Sequence, residues 1–118
     1  MSEEYYGPTP AARERLEQLL GLRATGREQD WEIEFADPAR IRDMLRILDD
    51  TDLDNDERSA LSALTLHSLE EAAEAGIKVN LAALELRNIL SRTPTVRERM
   101  RFYWKRMEQD RVASLVLR

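Results

Sequence analysis

The sequence predicts an all-α fold: a single compact bundle of about five helices, with one short extended segment near residues 31–35. Three observations carry this. Apolar residues recur at three- and four-residue spacing along most of the chain, the period of one helix face. Cap-plus-proline pairs stand at Thr9-Pro10, Asp37-Pro38 and Thr93-Pro94, where a side-chain oxygen precedes a Pro whose missing N–H costs nothing in a first turn. Gly21 and Gly76 close two of the periodic stretches, as glycine does when a helix ends left-handed.

Residues 1–9 read as a flexible tail, and 10–118 as one helical domain. The first helix follows Thr9-Pro10 through Leu16, Leu19 and Leu20 to Gly21, and a loop around Gly26 follows. Trp31-Glu32-Ile33-Glu34-Phe35 alternates apolar with acidic. That is the period of a half-buried strand, with Trp31, Ile33 and Phe35 inward and Glu32 and Glu34 facing outward. Asp37-Pro38 opens a helix through Ile41, Met44, Leu45 and Leu48. Asp54 and Glu57 have capping-box spacing for the next helix. That one runs to about Ala75, is rich in Ala and Leu, and is expected at the centre. Ile77, just past Gly76, is placed to make the usual hydrophobic contact. Asn80 caps a helix through Leu81, Leu84, Ile89 and Leu90, and Thr93-Pro94 opens the last long one.

Composition narrows function. The 118 residues include 42% hydrophobic and 35% charged side chains, with a mean hydropathy of −0.57. No apolar run approaches the roughly 20 residues of a membrane span. The acidic start of the chain lacks a signal-peptide h-region, and the expected location is cytoplasmic. There is no Cys, which removes disulfides, thiolate catalysis and Cys-ligated metals. The net charge of −5 divides into 10 basic and 20 acidic side chains over residues 1–90 and eight basic against three acidic over 91–118. Such asymmetry signals either a charged partner or two halves that lie against each other.

The acidic hinge over residues 49–57 invites a calcium-loop reading, and two registers fail. A start at Asp50 puts Asn55 at position 6 and Leu61 at position 12; a start at Asp52 puts Glu57 and Ala63 there. Neither supplies both the Gly and the bidentate acid that the loop requires. Its acids remain as helix caps or as a docking surface. Between Glu28 and Glu57 there are 12 acids and three Arg, a field that steers basic proteins and repels nucleic acid.

His67 is the only His, one turn before Glu71. It is expected at the core edge or paired with Glu71, and no catalytic site, metal or cofactor is expected. In the last helix Val96, Met100, Tyr103, Trp104 and Met107 share the core arc, and the helix should end or bend near Asp110. Phe102 falls on the opposite side. It either packs under a neighbouring element or stands exposed as an interface anchor.

Several phrases resemble a group of small bacterial all-α proteins of uncharacterised activity. They are Gly26-Arg27-Glu28-Gln29-Asp30-Trp31-Glu32-Ile33-Glu34, Asp52-Leu53-Asp54-Asn55-Asp56-Glu57-Arg58 ahead of an Ala/Leu helix, and Tyr103-Trp104. The resemblance implies one ordered domain and supplies no catalytic residues. By size and charge alone the chain is similar to immunity proteins that neutralise a toxin.

The resulting expectation is a non-catalytic protein-interaction module, immunity- or antitoxin-like. It would bind a partner with a basic surface through Glu32, Glu34, Asp50, Asp52, Asp54, Asp56 and Phe102. The alternative is a helix-turn-helix nucleic-acid binder using Arg97, Arg99, Arg101, Lys105 and Arg106 of the last helix. Its turn lacks the usual Gly and its cations ring the whole polar arc, so nucleic acid ranks below protein. Self-association through the oppositely charged halves also stays open.

Overall fold

A computed structural model of the chain describes residues 4–50, 52–105 and 112–117. Seven helices are found among them, and no strand. In order they are α1 (Pro10–Leu20), α2 (Trp31–Glu34), a 3-10 turn (Pro38–Arg40) leading into α3 (Ile41–Asp50), α4 (Asn55–Glu74), α5 (Asn80–Ser91), α6 (Pro94–Lys105) and α7 (Ala113–Val116). Five are long helices, and α2 and α7 are single turns. None is long and apolar enough to cross a membrane. Arg106, Met107 and the bend expected near Asp110 lie outside the described residues.

The local stop and start signals operate as their chemistry dictates. Thr9 Oγ1 accepts from the Ala12 amide at 3.2 Å, and Gly21 closes α1 at φ 66°. Asp37 Oδ1 accepts from the Ala39 amide at 2.9 Å. Asp54 and Glu57 form a reciprocal capping box, with bonds of 2.7 and 2.9 Å. Two arginines tie down helix ends: Arg40 donates to the Leu20 carbonyl, and Arg58 to those of Leu48 and Leu53.

α4 is the axis of the fold. α1, α2, α3, α5, α6 and the 3-10 turn all pack on it, and every residue from 59 to 70 is buried. A helix covered on all sides cannot be amphipathic, and α4 accordingly mixes Leu and Ala with small hydroxyls all round. Three of its four buried hydroxyls find partners on the helix itself, and that of Ser62 finds none among the described residues. Ser59, Thr65 and Ser68 donate to the carbonyls four residues back at 2.7–2.8 Å, which answers the cost of burying a polar group. Ser68 also accepts from the Asp37 amide, fixing the entry to α3.

Several expectations are corrected. Residues 31–35 form no extended segment: Trp31–Glu34 is one helical turn, with the Ile33 and Glu34 amides bonded to the Asp30 carbonyl. A lone strand without a partner leaves its backbone unpaired, whereas a turn satisfies it locally. The facing changes with it: Trp31 and Glu32 are buried while Ile33 is 42% exposed. The tail over 1–9 is corrected at Tyr5, which is buried, with its ring 5.9 Å from that of Tyr103. Asn80 is the first residue of α5, and Val79 occupies the cap position without a side-chain bond. α5 buries Ala83, Leu86, Ile89 and Leu90, leaving Leu81 83% and Leu84 43% exposed. The contact expected of Ile77 leaves it 53% exposed.

Candidate functional site

The most concentrated polar chemistry of the molecule lies between α2, α4 and α6. Tyr103 sits on the core arc of α6, and its hydroxyl donates to Glu32 Oε2 at 2.6 Å. His67 Nε2 lies 2.8 Å from the Tyr103 hydroxyl oxygen. The Tyr103 hydroxyl has a single proton and gives it to Glu32, so the hydrogen of the second contact belongs to His67 Nε2. All three residues are buried. The His67 ring also stacks at 4.7 Å on Trp104 and meets Tyr103 edge-on at 5.9 Å.

Burial decides the protonation states. It pulls the His67 imidazole down to about 4, against a smaller upward pull from Asp30, so the ring is neutral at pH 7. Burial first, then the Glu32 carboxylate, pushes the Tyr103 phenol far up. Tyr5 is pushed up for the same two reasons in the same order. The result is a neutral imidazole and a neutral phenol arranged in series on a buried carboxylate. Glu70 is a second buried acid, and it accepts from the Val112 amide at 2.5 Å, docking the start of the C-terminal turn on α4.

Two clefts open beside α2. The larger, about 340 Å³, is lined by Tyr6, Gly7, Pro8, Arg13, Gln29, Asp30, Trp31 and Glu32. It touches the polar chain through Glu32. The smaller, about 190 Å³, lies between Leu20, Leu22, Phe35, Arg40 and Met44.

The acids expected to form one surface are dispersed. Glu32 is corrected outright: the helical turn directs it to Tyr103 instead of solvent. Glu34 is exposed and accepts from the Asp30 amide. It belongs to the end of the molecule where Asp37 meets Ser68, about 20 Å along α4 from the hinge at 1.5 Å per residue. Asp54 is the α4 cap, and Asp56 pairs with Arg99 at 2.9 Å. Asp50 and Asp52 are exposed and make no ion pair among the described residues. Phe102 is half-buried, its ring edge-on to Tyr6 at 5.3 Å.

The basic helix is half occupied as well, at two of its four described cations. Arg99 reaches Asp56 and the Ser59 hydroxyl. Arg101 holds Glu98 and the Leu117 carbonyl. Arg97 is half-buried, and Lys105 is exposed. With Arg92 on Asp49 at 2.8 Å, the acidic body and the basic end of the chain answer each other within one molecule.

The sequence reading missed the Glu32–Tyr103–His67 chain, although two signals pointed to it. A Tyr on a core arc needs a partner for its hydroxyl, and the only His lies on the most buried helix. Compared with family models, curated proteins and solved structures, the chain matches none.

Proposed function

We propose that this chain is a non-catalytic protein-interaction module whose working face is α5, and that its partner presents apolar side chains set among basic ones. One observation carries the reading: Ile77, Leu81 and Leu84 stand exposed within a single short stretch, with carboxylates at both ends of it that make no ion pair among the described residues. Glu71 and Glu74 flank the start of α5, and Asp50 and Asp52 lie beside its end, where Asp49 holds Arg92. Singly exposed apolar side chains are ordinary, whereas a contiguous group rimmed by charge is typical of an interaction surface. α3 stiffens this face from the side. Arg42 near the start of α3 bridges to Glu85 midway along α5, and Asp49 near the end of α3 to Arg92 just past the end of α5, so α3 and α5 run alongside in the same direction.

Two further features favour binding over catalysis. The His67 and Tyr103 groups that acid–base chemistry would use are engaged with each other and with Glu32. Two of the cations that would grip a nucleic acid, Arg99 and Arg101, are engaged with acids of the same chain. An immunity- or antitoxin-like inhibitor fits this description: its acids steer it to a cationic cleft, and its leucines seal the contact.

The test is to capture a partner on the immobilised chain from extracts of the producing cell and measure its association with charge-reversed protein. Asp50→Lys with Asp52→Lys should slow association and flatten its dependence on salt. Association of that variant at the wild-type rate and salt slope would overturn the basic-partner reading.

A further inference from the structure

We propose that the cleft beneath residues 6–8 binds a small organic cation, a primary alkylammonium, with the Glu32 carboxylate as its counter-ion. At about 340 Å³ the cleft falls in the size range of small-ligand sites. Glu32 lines it while being only 6% exposed. Its Oε2 receives the Tyr103 hydroxyl, and among the described residues no cation pairs with the carboxylate. A buried carboxylate held by one neutral donor is under-compensated, since burial of a charge is costly without an opposite charge or further hydrogen bonds. A bound ammonium supplies both.

The walls select the same chemistry. Gly7 passes beside the carboxylate at φ +144°, a conformation L side chains rarely adopt, and a Cβ there would meet Glu32 Oε2 at an ordinary contact distance of 4.0 Å. Asp30 adds a second carboxylate at the rim, and the exposed Tyr6 adds an aromatic ring, which attracts cations. The one cation of the lining, Arg13, lies 3.6 Å from Glu28 Oε1, so its charge is already answered. An anion entering the cleft would meet Asp30 and Glu32 unshielded. A primary ammonium is compact and has three donors, enough to meet Glu32 and Asp30 together.

The probe is n-butylammonium, titrated into the full chain and followed by the NMR signals of the Gly7 amide and the Trp31 indole N–H, with n-butanol and butyrate as matched controls. Saturable shifts with butylammonium alone are expected. Glu32→Gln keeps an acceptor for Tyr103 and should weaken that binding about tenfold or more, as loss of a charge-assisted hydrogen bond does. Asp30→Asn, at the exposed rim, should weaken it by a smaller factor, and Asp52→Asn at the distant hinge should leave it unchanged. The proposal is overturned by shifts of equal size with butanol or by wild-type affinity in both the Glu32 and Asp30 variants. It is equally overturned by a loss with Asp52→Asn as large as theirs, which would mean a general response to net charge.

Discussion

α4 and α5 are both rich in leucine, and they differ in what covers them. α4 is enclosed from 59 to 70, and Ser59, Thr65 and Ser68 turn their hydroxyls onto its own carbonyls. α5 is covered on one side only, where Leu86 and Leu90 are buried, and holds Leu81 and Leu84 out to solvent. α4 begins in a full capping box, whereas α5 begins without any side-chain cap. The contrast separates two uses of the same residue type. Leucines of α4 hold the molecule together, and those of α5 are available to something else.

Truncation should expose this difference most strongly. Leu64→Ala, at a position with no exposure, should cost about 2–5 kcal/mol through lost burial and a cavity, measured by urea unfolding. Leu81→Ala should stay within about 0.5 kcal/mol, as surface changes do. Comparable losses at both positions would abolish the distinction.

The polar side of α4 predicts a pH dependence. His67 titrates near 4 in the fold and near 6.5 when unfolded. Between those values the unfolded chain binds the extra proton, so stability is full above pH 6.5 and falls as the pH drops towards 4. The loss is about 3 kcal/mol and levels off below pH 4. His67→Gln should remove that part of the acid slope, read from unfolding midpoints across the range. Tyr5 and Tyr103, both raised by burial, work in the other direction: stability is full below pH 10 and falls above it.

A smaller effect is expected from Tyr103→Phe. It strands the Glu32 carboxylate and the His67 N–H together, for about 1–3 kcal/mol, the cost of unsatisfied buried polar groups. Smaller still is the cap contrast. Asp54→Ala should lose about 1 kcal/mol, while Asn80→Ala at the uncapped start of α5 should change stability by less than half of that. Thermal unfolding of the two variants side by side measures the ratio.

Much of the fold was legible because its signals are local. Thr9-Pro10, Asp37-Pro38 and the Asp54…Glu57 box act through bonds to amides two or three residues away, so neighbouring letters suffice. The failures have a common cause in tertiary covering. Five residues of alternation at Trp31–Phe35 are too few to separate a strand from one helical turn, and it was burial against α4 that chose the turn. Leu81 and Leu84 keep helical spacing whether or not a neighbour lies over them. Tyr5 has no periodic context at all, yet it fills a space beside Tyr103. The Glu32–Tyr103–His67 chain joins three distant parts of the sequence, and no local pattern announces such a meeting.

The charge split shows both sides of this. Its existence was plain from counting, and its meaning was not. The pairs Arg99–Asp56 and Arg92–Asp49 make part of it architecture. Exposed pairs of this kind contribute only about 0–1 kcal/mol each. Their larger consequence is for recognition, because with Arg101–Glu98 they occupy two of the four described cations of α6 and leave Asp50 and Asp52 of the hinge without an ion pair among the described residues.

Hydrogen exchange of the backbone amides, with and without a captured partner, tests the central claim most directly. The account predicts that residues 77–88 gain protection on binding, while residues 59–70, already the most protected, do not change. Protection confined to residues 6–8 and 29–32, or to α6, with α5 exchanging as in the free chain, would contradict it.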